Sequence, residues 1–342
     1  MILLNENPLI ISIKSTKLIT SEKNNLNIFK PYGVILFSRN ISNFNQIKKL
    51  VKSIKSQSKK TLIFIDQEGG IVNRFQKFPE FKFLDNYDYY KIYLRYPSLA
   101  KQLVYLKSYI TSYYLKEIGI DINTIPVLDL PIHNTATIIK KRTFGPNIDT
   151  NIILNEVLLS ASKQFGLIPV MKHIPGHGVT NRDSHFTLPV SKFSISELNR
   201  HLKIFKHFNH LPLAMTAHIK YLSWDKNNIA TFSYKIINQI IRKNINFKGL
   251  IMSDDLMMKA NEFKISEAIS LSNKAGIDIL LDCSSDWDRY IEIIKNFNIT
   301  NKYKAKINLQ LGKLNRSKFT NKSININHYH HLYNELVKHY GI

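Results

Sequence analysis

Cysteine is nearly absent from this 342-residue chain, and its one thiol, Cys283, excludes an internal disulfide framework and any cysteine-rich metal site. A reducing compartment fits that usage. No apolar run approaches the ~20 residues that span a bilayer. The first fourteen residues also lack a basic region ahead of a long apolar stretch, because the run over 8–13 is short and is closed by Lys14. The expectation is a cytoplasmic protein with no membrane anchor. Acidic residues are the minority, 25 against 48 lysines and arginines, for a formal net charge of +23. Such a balance can signal nucleic acid, an anionic membrane surface or acidic substrates. Here the lysines are scattered among isoleucines and asparagines, with no compact basic stripe interleaved with aromatics. That pattern points to coding bias on an ordinary enzyme surface, so no nucleic-acid or membrane partner is expected, and the chain is expected to act as a monomer.

What is present is 44% apolar residues, enough for a large core. Eight short apolar runs recur, at 9–13, 34–37, 62–65, 122–128, 167–171, 213–216, 250–253 and 277–281. Near-continuous hydrophobicity suits parallel strands buried on both faces, whereas a half-exposed antiparallel sheet would alternate. Helical patterns lie between them, at about 85–118, 150–165, 195–209, 233–246, 262–274 and 286–296, and the connection after the first strand is weaker. Eight strands alternating with helices predict a single α/β domain, a (β/α)8 TIM-type barrel over 1–298. The polar, basic tail 299–342 is expected to be a helical C-terminal extension packed on that barrel. A doubly wound dinucleotide-binding sheet is the alternative, but no GxGxxG follows the first strand.

A barrel demands that chemistry gather just after the C-terminal ends of its strands. It does so here. Ser38-Arg39-Asn40 follows the second run, Asp66-Gln67-Glu68-Gly69-Gly70 the third, Asp129 the fourth, Lys172-His173 the fifth, His218 the sixth and Asp254-Asp255 the seventh.

The densest stretch is KHIPGHGVTNRDSH, residues 172–185. Asp183 and His185 stand two apart, so an extended loop puts their side chains on one side, within hydrogen-bonding reach. A carboxylate beside an imidazole orients the ring and favours its charged form, and such a histidine can give and take a proton near neutrality. Gly176 and Gly178 flank His177 and let the loop bend.

In Ser253-Asp254-Asp255-Leu256, successive side chains point to opposite faces, so one aspartate should enter the barrel mouth while Asp255 caps the following helix. A carboxylate nucleophile facing a proton donor is the arrangement glycoside cleavage requires. The usual donor is a second carboxyl group; a histidine held by an aspartate would replace it. Asp66, Glu68, Arg74, Arg142, Lys172 and His173 would supply fixed donors and acceptors for a strongly hydroxylated ligand.

The motifs FIDQEGGIVNRF (64–75), KRTFG (141–145), KHIPGHGVTNRDSHFTLP (172–189), MTAHI (215–219), MSDDLMM (252–258) and AGIDILL (275–281) resemble the β-N-acetylhexosaminidases of glycoside hydrolase family 3. They occur in the family's order across nearly the whole barrel. The resemblance implies Asp254 as nucleophile, His185 with Asp183 as the acid/base dyad, and Asp66, Arg74, Arg142, Lys172 and His173 as ligands of the non-reducing N-acetylglucosamine. It further implies a retaining exo-β-N-acetylglucosaminidase that needs no metal or organic cofactor and acts on anhydro-muropeptide fragments in bacterial cell-wall recycling. The chain departs from the family at Lys140-Lys141, where a glycine and an acidic residue usually precede the arginine, and over 131–139.

Three other readings follow from the same residues. His173, His177, Asp183 and His185 could bind zinc, although the HxH pair expected after the first strand of metal-dependent barrel hydrolases is missing. The net charge would suit a non-enzymatic basic binding protein. Within the family, phosphate could replace water as the acceptor of the sugar.

Overall fold

A computed structural model of the chain describes residues 7–181, 187–260, 263–298 and 324–341. The strands are β1 (Asn7–Ser12), β2 (Pro31–Leu36), β3 (Leu62–Ile65), β4 (Ile122–Asn123), β5 (Ile168–Ile174), β6 (Val190–Ser191), β7 (Leu213–Thr216), β8 (Lys220–Tyr221), β9 (Leu250–Asp255) and β10 (Ile279–Asp282). Eight of them close into a parallel barrel in the order β1-β10-β9-β7-β5-β4-β3-β2, while β6 and β8 form a separate two-stranded sheet. Closure is made where Leu9 of β1 pairs with Leu280 of β10. The eight-stranded (β/α)8 barrel expected from the sequence is therefore the fold.

Alternation along each strand explains why the runs are continuous in sequence. Ile10, Ile35, Phe64, Val170 and Met252 point into the barrel and form an inner cluster. Their neighbours Leu9, Val34, Ile63, Met171 and Ile251 point outward beneath the helices and belong to the larger outer core. Both faces are dry, so both sets are apolar. The inner layer is tightly filled: a Cβ on Gly33 would meet the Phe64 ring at 2.3 Å.

The helices differ from expectation in three places. The single helix expected over 85–118 is two, Asn86–Arg95 and Pro97–Ile118, because Pro97 cannot continue a helix but starts one well. The segment expected over 233–246 is a π-type helix, Ile236–Asn244. Three helices not assigned from sequence appear: Thr20–Phe29 and Phe44–Gln57 fill the first two crossovers, and the short Thr137–Lys141 lies between β4 and β5. Within the described part of the tail, helix Ile326–His339 packs on the helices that follow β3. Tyr329 stacks on Tyr109 with ring centres 4.4 Å apart, and the Tyr333 hydroxyl bonds that of Tyr89 at 2.7 Å.

Candidate active site

The C-terminal ends of the strands open into a cavity of about 550 Å³. Six of the eight site residues expected from sequence line it: Asp66, Arg74, Arg142, Lys172, His173 and Asp254. Asp183 and His185 lie outside the described residues. The barrel order puts β9, which carries Asp254 next to its end, diametrically opposite β3, which delivers Asp66. A ligand in the cavity thus has a carboxylate on one side and a charge network on the other.

That network is built from the segments following β3 and β4, from Lys172 in β5 and from Arg142 at the end of helix Thr137–Lys141. Lys172, near the end of β5, reaches Glu68 at 2.6 Å, Asp66 at 3.2 Å and the Thr124 hydroxyl at 2.9 Å. Thr124 in turn donates a very short hydrogen bond to Asp66, and Arg74 pairs with the other Asp66 oxygen at 3.0 Å. Arg142 grips Glu68 with two parallel bonds of 2.9 and 2.8 Å, a fork geometry that fixes the guanidinium plane. Its Nη2 also lies 3.2 Å from His173 Nε2. The Arg142 and Glu68 side chains are only 9% and 1% exposed, so this is an interior pair and not a surface one.

The charges set the protonation states. Burial by itself would raise Glu68, but the Arg142 and Lys172 cations outweigh it and hold the carboxyl at about 2. For Asp66, burial is likewise overcome by Lys172, Arg74 and the Thr124 bond, and the carboxyl stays below the usual carboxylate range. Both are anions at neutral pH. Their partners are cations, so the wall facing Asp254 offers pre-oriented donors to hydroxyl and amide groups.

Asp129 works one layer deeper. Its Oδ2 takes the His173 Nδ1 contact at 2.7 Å, while Oδ1 accepts the backbone N–H of His173 at 3.3 Å and that of His177 at 2.5 Å. It therefore pins both ends of the 173–177 segment and orients the His173 ring. Burial opposes ionisation, yet the two histidines hold the Asp129 carboxyl at about 2. Burial and the His173 charge push His177 down to about 4, so it is neutral at physiological pH.

Asp254 and Asp255 both border the cavity, and their roles divide. Asp254 Oδ1 accepts the N–H of Asp255 at 2.8 Å, which orients its carboxylate. Asp255 was expected to cap the next helix. That helix begins only at Ile265, and Asp255 Oδ1 instead accepts the N–H groups of Met257 and Cys283, at 3.0 and 2.9 Å, tying the turn after β9 to β10. Burial raises the Asp255 carboxyl to about 6 despite those two bonds. His218, expected at the mouth, is buried and bonds Thr231 at 2.7 Å and the Asp255 carbonyl at 3.1 Å. Its role is to brace β9.

Among the described residues, no three histidine, cysteine or carboxylate side chains converge as a metal ion would need. Two members of the expected zinc set, Asp183 and His185, lie outside those residues. Nothing in the sequence singles out Thr124, whereas the position of Asp129 at the end of a barrel strand is a signal for it.

The geometry agrees with what the chain resembles. Residues 12–312 match the family described as glycosyl hydrolase family 3 N terminal domain. The chain is 31% identical over 306 residues to a β-hexosaminidase of Psychromonas ingrahamii, covering 85% of this chain and 87% of that one. It is 33% identical over 284 residues to a β-hexosaminidase of Actinobacillus pleuropneumoniae, covering 81% of each. In three dimensions it is similar to NagZ from Neisseria gonorrhoeae, solved in complex with N-trifluoroacetyl-D-glucosamine, with a TM-score of 0.84, 27% identity and coverage of 97% of this chain and 98% of that one. A carboxylate set across a barrel mouth from a buried charge network is thus carried by a chain that belongs to glycosyl hydrolase family 3, among its β-N-acetylhexosaminidases.

Proposed function

We propose that the protein is a retaining exo-β-N-acetylglucosaminidase acting in the cytoplasm on peptidoglycan fragments, the anhydro-muropeptides. The observation that carries the reading is the opposition of Asp254 and the Asp66–Lys172–Glu68–Arg142 network across one cavity. The network and Arg74 and His173 hold the non-reducing sugar by its hydroxyl and acetamido groups. Asp254 attacks the anomeric carbon from the opposite side and forms a glycosyl-aspartate. His185, oriented by Asp183, protonates the leaving oxygen and then takes the proton from water. Support for that dyad is the DSH motif at 183–185. An anionic, peptide-bearing leaving group suits the rim beside Ile138, where Lys140 stands 4.9 Å over the Tyr87 ring and Lys141 pairs with Asp85 at 3.3 Å.

Release of chromophore from an aryl β-N-acetylglucosaminide, beside the matching β-glucoside and with added chelator, tests the reading. The expected result is cleavage of the acetamido sugar alone, unaffected by chelator. Folded protein that cleaves neither sugar removes the proposal, and chelator-sensitive turnover moves it to a metal-dependent hydrolase.

The dyad has its own test in a leaving-group series. His185→Ala should slow substrates with poor leaving groups by about a hundredfold or more, and activated aryl glycosides far less, because a good leaving group needs no proton. Equal losses across the series would remove His185 from the acid role.

A further inference from the structure

Lys107 is a buried lysine that no step above uses. It lies in helix Pro97–Ile118, is 2% exposed, and does not line the cavity. Its ammonium donates to Asn86 Oδ1 at 2.6 Å, and Asn86 Nδ2 donates to the carbonyl oxygen of Arg142 at 2.8 Å. Arg142 is the residue whose guanidinium grips Glu68 and touches His173. The lysine stem also runs directly under the 66–70 loop: a Cβ on Gly69 would fall 2.6 Å from Lys107 Cε. One side chain thus supports, from behind, the loop that carries Asp66 and Glu68 and the backbone that carries Arg142.

Simple packing does not account for this choice of residue. Burying an ammonium is costly, and an apolar side chain would fill the space with no such cost. The cost is visible in Lys107, whose burial brings it down to about 7 against the pull of Glu68 and Asp85. Part of the compensation comes from the Tyr89 ring, 5.2 Å from the ammonium. What the lysine supplies that leucine or methionine would not is a donor for Asn86, which leaves the Asn86 amide aimed at Arg142.

We propose that Lys107 is a positioning residue of the sugar site, which through Asn86 sets the backbone of Arg142 and so the angle at which its guanidinium meets Glu68 and His173. The inference rests on the sugar-binding reading of the cavity given above. It concerns binding of the sugar and not the bond-breaking step, so its signature is a change in KM that leaves kcat nearly intact.

The test uses Lys107→Met, Asn86→Ala and the double variant, with kcat and KM measured on an aryl β-N-acetylglucosaminide. Each single variant is expected to raise KM at least about fivefold with kcat within about threefold. The double variant is expected to be no worse than the poorer single one, because both cut the same chain of contacts. KM within about twofold of the parent in both variants overturns the assignment, as do effects that multiply in the double variant. Should Lys107→Met fail to fold, Asn86→Ala alone decides by the same KM criterion, since it breaks the link while the lysine stays. A parent protein that does not cleave the acetamido sugar overturns the reading of the site itself, and the role of Lys107 with it; a parent that cleaves it beside unchanged variants overturns Lys107 only.

Discussion

Asp254→Asn is expected to lower kcat/KM on an aryl β-N-acetylglucosaminide by at least about a thousandfold, with the thermal midpoint nearly unchanged. The substitution is close to isosteric, so packing is kept. It removes the negative charge proposed to attack the anomeric centre and to stabilise positive charge there. Asp254 is only partly buried and needs no rearrangement to reach the cavity. Its Oδ1 already accepts the Asp255 N–H, and an asparagine oxygen can do the same, which is why the fold should survive. Trapping with a slow fluorinated substrate, followed by peptide mass analysis, would locate the sugar on the peptide containing Asp254. Near-parental turnover in the variant, or a label elsewhere, ends its assignment as nucleophile. The neighbouring Asp255 makes a useful control: its oxygen holds backbone, so its loss should show first in stability.

Glu68→Ala carries the largest expected stability loss, about 3–5 kcal/mol, because it strands Arg142 in the interior without its carboxylate and leaves Lys172 with Asp66 alone. Those side chains are 9% and 2% exposed, so water cannot take over the role of the carboxylate. Urea unfolding of parent and variant measures the difference, and a loss below about 1 kcal/mol would mean the two cations re-pair elsewhere. The same carboxylate predicts a pH dependence. Its folded value, about 2, lies below the ordinary 4.5, so its stabilisation is complete above the ordinary value and is lost as pH falls toward the folded one. Asp129, at about 2 against 3.8, acts in the same direction. The parent should therefore lose stability steadily from about pH 5 to about pH 2, and Glu68→Ala should show a shallower fall over that window. Parallel curves would contradict the assigned pairing.

The barrel was legible because its strands are dry on both faces, which turns each into an unbroken apolar run. The run at 122–128 misled by its length. The regular strand covers only Ile122–Asn123: toward β3 the Asn123 side chain accepts the N–H of Gln67 and donates to its carbonyl, while toward β5 Ile125, Pro126 and Leu128 go on exchanging backbone bonds with Val170 and Lys172. Helix Phe44–Gln57 did leave a stripe, Ile47, Leu50, Val51 and Ile54, whereas Thr20–Phe29 buries only Glu22 and Leu26 and leaves almost none. Cavity-lining residues such as Asp66, Lys172 and Asp254 are legible because strand ends advertise the mouth. Their partnerships are not. Lys172 with Asp66 spans 106 positions, and Lys107 acts on Arg142 through Asn86 from the interior of a helix, with nothing in its local pattern to separate it from a surface lysine.

The pairing of Asp66, Glu68, Arg74, Arg142 and Lys172 among themselves also separates two electrostatic regimes in one molecule. Among the described residues, most of the scattered lysines behind the +23 charge face solvent, where a Debye length of about 8 Å at physiological ionic strength screens them. The pairs lining the pocket are shielded from mobile ions by the protein around them. Under the proposed function, added salt should act on how fast an anionic fragment arrives and scarcely on how firmly its uncharged terminal sugar is held.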